Sequence, residues 1–303
     1  MSSPMGLFER AVLSTLPYVP TPLMRRLASR YIAGERLEDA LARIAALQAA
    51  GHASIIDVLG EDVRDEAHCR EVVDAYKRCA EAVSERRLDC YVSVKPTHVG
   101  LKLSEELCYS LYSELAEHCR ARGLFLRVEM EDAPTTDGTL RVFERLRPSF
   151  ANVGIVLQSR LFRTPDDIRK LAPGPLHVRM VKGIYLEPAA IAHTEPQPIR
   201  DAYVECTRLL IERKACVSFA THDEQLADRL IPLAEGSGQP REAFEFQVLL
   251  GVREPLWSTW KARGQRVRVY VPFGPEWRPY SLRRMRKNPQ ILKHVMKAAL
   301  TGG

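Results

Sequence analysis

The 303-residue chain is 46% hydrophobic and 27% charged, an ordinary globular composition that excludes wholesale disorder and collagen-like repeats. Forty-four Lys+Arg against 38 Asp+Glu leave a formal net charge of +6, and no stretch reaches the roughly 18 apolar residues that a bilayer-spanning helix needs. The seven cysteines are odd in number, scattered and without C-x-x-C spacing, which points to a reducing cytosol rather than a disulfide scaffold or a zinc finger.

The first twenty residues, MSSPMGLFERAVLSTLPYVP, lack the basic start and small-residue cleavage site of a signal peptide. Two helices are expected before the first strand, over roughly 5–15 and 35–50. The second buries Leu37, Leu41, Ile44 and Leu47 and stops at Gly51. Eight short runs rich in Val, Ile, Phe and Tyr then recur: 54–60, 89–95, 124–131, 152–159, 176–183, 216–222, 244–250 and 267–273. Helical periodicity fills the gaps, as in 65–87, where Val72, Val73, Tyr76, Ala80 and Val83 fall on one face. Thr164-Pro165-Asp166-Asp167 has the pattern of an N-cap, a first-turn proline and early acids, and Gly264 the pattern of a helix stop. A last amphipathic helix is expected over 279–300.

Strands alternating with helices predict a parallel sheet, and eight such units without a linker predict an α/β fold, one closed (βα)8 barrel. Residues 1–53 would form an N-terminal helical segment packed on a barrel of residues 54–303. The rival is a doubly wound open sheet, whose dinucleotide-binding version is weakened because no G-x-G-x-x-G follows a strand.

In a barrel the chemistry belongs at the C-terminal strand ends. Those ends carry Lys95, then Glu129, Glu131 and Asp132, Gln158, Arg179 with Lys182-Gly183, Thr221-His222-Asp223, Gln247 and Tyr270. Such a mouth suits a large polyanionic or strongly hydrogen-bonding ligand. Taken singly, each has an ordinary alternative: a solvated lysine, a solvated acidic turn, a packing histidine. The charge is also uneven. Residues 261–303 hold eleven Lys/Arg and one acid, Glu276, while the rest holds 33 bases and 37 acids. Arg283 and Arg284 follow the last strand and are placed to grip one carboxylate from two sides, although a solvated helix face is the default for such a run.

Other chemistries are poorly supported. The eight histidines show no H-x-H or H-E-x-x-H spacing, so no metal site is expected. No G-x-S-x-G points to a nucleophile. The aromatics near the basic C-terminus form no stacking stripe, which argues against nucleic acid.

Seven collinear blocks give the chain a resemblance to the proline dehydrogenase family: SVKPTHVGL (93–101), VEMEDAPTTDGTL (128–140), VGIVLQSRLFR (153–163), VRMVKGIY (178–185), FATHD (219–223), FEFQVLLGVREPL (244–256) and RVYVPFGPEWRPYSLRR (268–284). The resemblance implies a distorted (βα)8 barrel whose C-terminal helix closes the site. Lys95, Arg283 and Arg284 would hold the proline carboxylate, with Leu249, Tyr270 and Tyr280 shaping the pocket. Met130, Gln158, Arg179, Lys182, Gly183, Ile184, Thr221 and His222 would bind FAD, Arg179 near the flavin N5. Glu129 with Lys95 would tune removal of the substrate's ammonium proton. The implied reaction is hydride transfer from proline C5 to flavin N5, giving 1-pyrroline-5-carboxylate. The electrons would go to a membrane quinone from a cytoplasmic protein lying peripherally on the inner face of the membrane. A related cyclic amino acid such as hydroxyproline, a non-catalytic binding barrel, and a metal-dependent hydrolase are the alternatives. Four positions depart from the family pattern: Glu129, Arg160, Asp223 and Lys287, the last reversing a charge one helical turn from the paired arginines.

Overall fold

A computed structural model describes residues 21–60, 62–278 and 280–282. Eight parallel strands run in sequence order: β1 (Ala53–Val58), β2 (Cys90–Val94), β3 (Leu126–Val128), β4 (Val153–Gln158), β5 (His177–Val181), β6 (Cys216–Ala220), β7 (Phe244–Leu249) and β8 (Val267–Phe273). The sheet closes where β1 pairs with β8, from Ala53↔Arg268 to Val58↔Phe273. The barrel expectation is therefore met, and the open-sheet rival is excluded.

Helices α1 (Thr21–Ala28) and α2 (Leu37–Ala49) precede the barrel. The outer ring comprises α3 (Glu66–Glu85), α4 (Glu105–Arg120), α5 (Ala133–Leu146), α6 (Thr164–Lys170), α7 (Pro196–Glu212), α8 (Glu224–Glu235) and α9 (Glu254–Ala262). Helix α2 buries Ala40, Leu41, Ile44 and Leu47 and packs on β1 and β8. It ends at Gly51, whose φ of 77° no β-carbon would tolerate cheaply. In α3, the Asp65 side chain accepts from His68 N at 2.8 Å, and Val72, Val73, Tyr76, Ala80 and Val83 are all buried as the periodicity predicts. Each such valine contributes about 1.5–3 kcal/mol on transfer from water.

Three details differ from the sequence reading. Helix α1 was not foreseen, while the helix expected over 5–15 lies outside the described residues, as do Arg283, Arg284, Lys287 and most of the expected final helix. The helical trace resumes only at Trp277, Arg278 and residues 280–282. Thr164 is not an N-cap. Its hydroxyl donates to the Gln158 carbonyl at 2.6 Å, so it sits inside α6 while Arg163 takes the cap position. Strand β3 stops at Val128, and Glu131 turns aside to accept from Thr97 N (2.9 Å) and Thr97 Oγ1 (2.8 Å).

Alternation along each strand separates two interiors. Residues such as Val92, Val128, Val178, Phe219, Val248 and Val271 face outward into an apolar layer beneath the helices. Their neighbours face the lumen, which is packed with charge: Arg127, Arg179, Arg268, Glu129 and Glu245. Hydrogen bonds from Arg179 on β5 to Tyr91 on β2 and Gln247 on β7 join strands that are not neighbours, which requires a path through the lumen.

Candidate active site

The upper lumen is organised around Arg179, whose side chain is 4% exposed. Its Nε donates to Gln247 Oε1 at 2.5 Å and its NH2 to Tyr91 OH at 3.2 Å and Ser93 Oγ at 3.4 Å, while NH1 donates to Glu129. Ser93 also donates to Glu129. Tyr270 lies under the guanidinium, its ring centroid 5.3 Å away. Burial works against the Arg179 charge, but Glu129, Tyr91 and Tyr270 outweigh it and raise the pKa. Burial likewise opposes the Glu129 carboxylate, and Arg179 and Ser93 more than offset it, leaving its pKa lowered. This is a fixed cation in a desolvated cavity.

Beside it lies a second pair that the sequence reading did not contain. Lys95 Nζ stands 3.3 Å from Asp57 Oδ2 and 3.3 Å from the Gly60 carbonyl. Asp57, on β1 and 1% exposed, also accepts from Tyr76 OH at 2.9 Å, and the Tyr270 phenol is near enough to favour its charged form. Burial raises its pKa despite Lys95, and the nearby Glu129 adds to the rise. The two carboxylates are therefore pushed in opposite directions, the pattern that separates a structural anion from a proton acceptor. Glu129, expected to work with Lys95, has its hydrogen bonds with Arg179 and Ser93, while Lys95 stays near enough to help lower its pKa. Its neighbours are committed too: Glu131 ties down Thr97, and Asp132 accepts from Thr135 Oγ1 at 3.0 Å at the start of α5.

At the ends of β4 to β6 a third group gathers. Gln158 is buried and donates to the Glu131 carbonyl at 2.9 Å. Lys182 donates to Asp223, and Thr221 Oγ1 accepts from Asp223 N at 3.1 Å. His222 Nε2 accepts from Leu249 N at 3.0 Å, which places the proton of a neutral ring on Nδ1. Gly183 has a φ of 96°, and a β-carbon there would stand 2.7 Å from Gln158 Oε1 and 3.0 Å from Arg160 Cγ. Only glycine keeps that space open. Beside it, Arg160 Nε is buried with no hydrogen-bond partner, and Ile184 is 64% exposed. An open backbone cradle, a spare donor, an uncovered apolar side chain and a nearby cation fit a large anionic ligand with a planar apolar part, and FAD has those parts. Met130, 9% exposed, follows β3 at the same end. Tyr280 lies just beyond β8, near enough to influence the Tyr270 phenol.

The structure thus places Lys95, Glu129, Arg179 and Tyr270 in one linked group, and Gln158, Lys182, Gly183, Thr221 and His222 in another, with Leu249 paired to Tyr270 along the strands and bonded through its N–H to His222. Asp57, Tyr91 and Ser93 were missed. An aspartate inside the apolar run SIIDVLG was the available signal for Asp57. Among the described residues no group of three or more His, Cys, Asp or Glu could hold a metal ion, and no helix is long and apolar enough to cross a membrane.

Comparison with known proteins converges on one family. The family profile described as "Proline dehydrogenase" matches residues 40–297. "Proline dehydrogenase" of Deinococcus radiodurans is 33% identical over 98% of this chain and 99% of its own length. "Proline dehydrogenase 1" of Bacillus subtilis strain 168 is 30% identical over 90% of each. Among solved structures, proline utilization A (PutA) from Bdellovibrio bacteriovorus, inactivated by N-propargylglycine, superposes with a TM-score of 0.82 at 22% identity, covering 90% of this chain and 36% of that longer one.

Proposed function

Since the chain belongs to the proline dehydrogenase family, we propose that it oxidises L-proline to 1-pyrroline-5-carboxylate with FAD as its redox cofactor and a quinone as the final acceptor. The observation that carries the reading is the buried Arg179 cation beside the Asp57–Lys95 pair at the lumen's upper end. FAD, when bound, supplies a hydride acceptor at N5 and the route for electrons to the quinone. Gln158, Lys182, Gly183, Ile184, Thr221 and His222 would hold it, with Met130 alongside.

The chain's own residues do the rest. Arg179, locked by Glu129, Gln247 and Tyr91, presents a preorganised positive charge that would stabilise the negative charge gained by the hydride acceptor. Glu129 acts through Arg179. Lys95, joined by Arg283 and Arg284 from outside the described residues, grips the substrate carboxylate, while Leu249, Tyr270 and Tyr280 surround the ring. Proline must also lose one N–H proton for each hydride leaving C5. Asp57 takes that role through Lys95: Lys95 Nζ passes a proton to Asp57 Oδ2 and receives the one from the substrate nitrogen. This moves the proton step from Glu129 to Asp57.

Protein loaded with FAD and mixed anaerobically with L-proline should bleach, with one 1-pyrroline-5-carboxylate formed per flavin reduced. A yellow protein untouched by proline but bleached by another cyclic amino acid would overturn the substrate assignment.

A further inference from the structure

The cofactor-side cluster has a member that no strand end supplies. Arg200, on α7, donates from Nε to Asp223 Oδ2 at 2.6 Å, the same oxygen that accepts from Lys182. The other oxygen of Asp223 accepts from Leu226 N at 3.3 Å and caps α8, and the Asp223 N–H is bound to Thr221 Oγ1. The carboxylate is therefore held in place whether or not Lys182 stays on it. Burial opposes its charge, but the hydrogen bonds from Lys182 and Arg200 outweigh burial and hold its pKa down at about 2. It is an anion at every working pH.

Of the three charged side chains, Lys182 is the most open, 32% exposed against 21% for Arg200 and 14% for Asp223. Lys182 and Asp223 alone would cancel and offer an anion nothing. Two cations on one carboxylate oxygen leave a positive charge to spare, and the cation that can move is the one nearest solvent.

We propose that Arg200 is a positioning residue for the cofactor site: by sharing Asp223, it leaves Lys182 free to turn to a phosphate of the bound flavin nucleotide. The proposal rests on the FAD reading above and adds a helix residue to it. Without Arg200, Lys182 must leave an otherwise uncompensated carboxylate in order to meet the ligand. With Arg200 present, Asp223 keeps a charged partner and its cap when Lys182 departs.

The test is FAD affinity of flavin-stripped protein, read by fluorescence quenching with no substrate present. Arg200→Ala should weaken FAD binding about tenfold, the size of one lost charged hydrogen bond, and Arg200→Lys should recover most of it. Asp223→Asn keeps the cap, since Asn also caps helices, and should bind FAD at least as tightly as the natural protein. In that background Arg200→Gln should change affinity by less than about twofold, because the charge to be shared is gone. That comparison stands even if Arg200→Ala does not fold. Unchanged affinity in folded Arg200→Ala, or a tenfold loss from Arg200→Gln beside Asp223→Asn, overturns the proposal while leaving the cofactor reading intact. Natural protein that binds no FAD overturns both.

Discussion

The floor and the mouth of the lumen use the same residue types to different ends. At the floor, Arg268 Nε donates to both oxygens of Glu245 at 3.0 Å, its NH1 to the Ser54 carbonyl at 2.9 Å, and its guanidinium lies 4.7 Å from the Tyr91 ring centroid. Arg127 donates to the Ile155 and His177 carbonyls at 3.2 and 2.9 Å and covers the Phe125 ring. These groups face each other and the backbone. At the mouth, Lys95 and Lys182 lean on acids but remain partly open, and Asp57 is pushed toward protonation. Buried ion pairs seldom add net stability, yet removing one partner strands the other. The floor's charges are therefore spent on one another and the backbone, whereas those at the mouth stay partly open, as the proposed ligand sites require.

Substitutions should separate the two regions. Arg268→Ala strands Glu245 and should cost about 3–5 kcal/mol in urea unfolding, and a loss below about 1 kcal/mol would remove the floor's structural role. Asp57→Asn should instead lower kcat/KM for proline about 100-fold. Because its folded pKa is raised, ionised Asp57 costs stability above the ordinary carboxylate range, so the asparagine variant should be no less stable at pH 7. The natural enzyme should lose rate as falling pH protonates Asp57, and this acid limb should vanish in the variant. Full activity in Asp57→Asn would return the proton step to another group.

His98 gives a smaller effect at the border of the mouth. It is 4% exposed, and burial first, then Lys95 and His68, lowers its pKa to about 3. A lowered histidine favours folding fully above its unfolded value of about 6.5 and loses that contribution as pH falls toward 3. Between pH 7.5 and 5 the natural protein should therefore lose up to about 2 kcal/mol that His98→Gln does not lose, measured by urea unfolding at each pH. Smallest is Thr164→Val, which should cost about 1 kcal/mol by removing the hydroxyl from the Gln158 carbonyl. A floor-sized loss there would mean that the β4 end is more tightly braced than one hydrogen bond implies.

Much of this was legible beforehand because period and position carry it. Seven strands fall within the apolar runs and β1 starts one residue ahead of its run, at Ala53, and the polar strand ends include the residues that gather at the mouth. What escaped was pairing. Asp57 meets Lys95 and Tyr76 across 38 and 19 residues, and Arg200 meets Asp223 from a helix flank across 23, distances that no local pattern encodes. The floor left a readable trace: the strict alternation in Phe244-Glu245-Phe246-Gln247-Val248 and Val267-Arg268-Val269-Tyr270-Val271 marks charges pointing into a closed barrel. Thr164 misled because its hydroxyl had a carbonyl six residues back within reach.

The lumen bonds of Arg179 and Arg268 also bear on how the chain finds its fold. A slip of one residue in any strand would exchange its two faces. On β8 it would drive Arg268 into the apolar layer and Val269 into the lumen, stranding Glu245 on the neighbouring strand. An all-valine lumen would forgive such an error. A charged one rejects it, so the ion pairs act as a proofreading key for strand alignment during assembly.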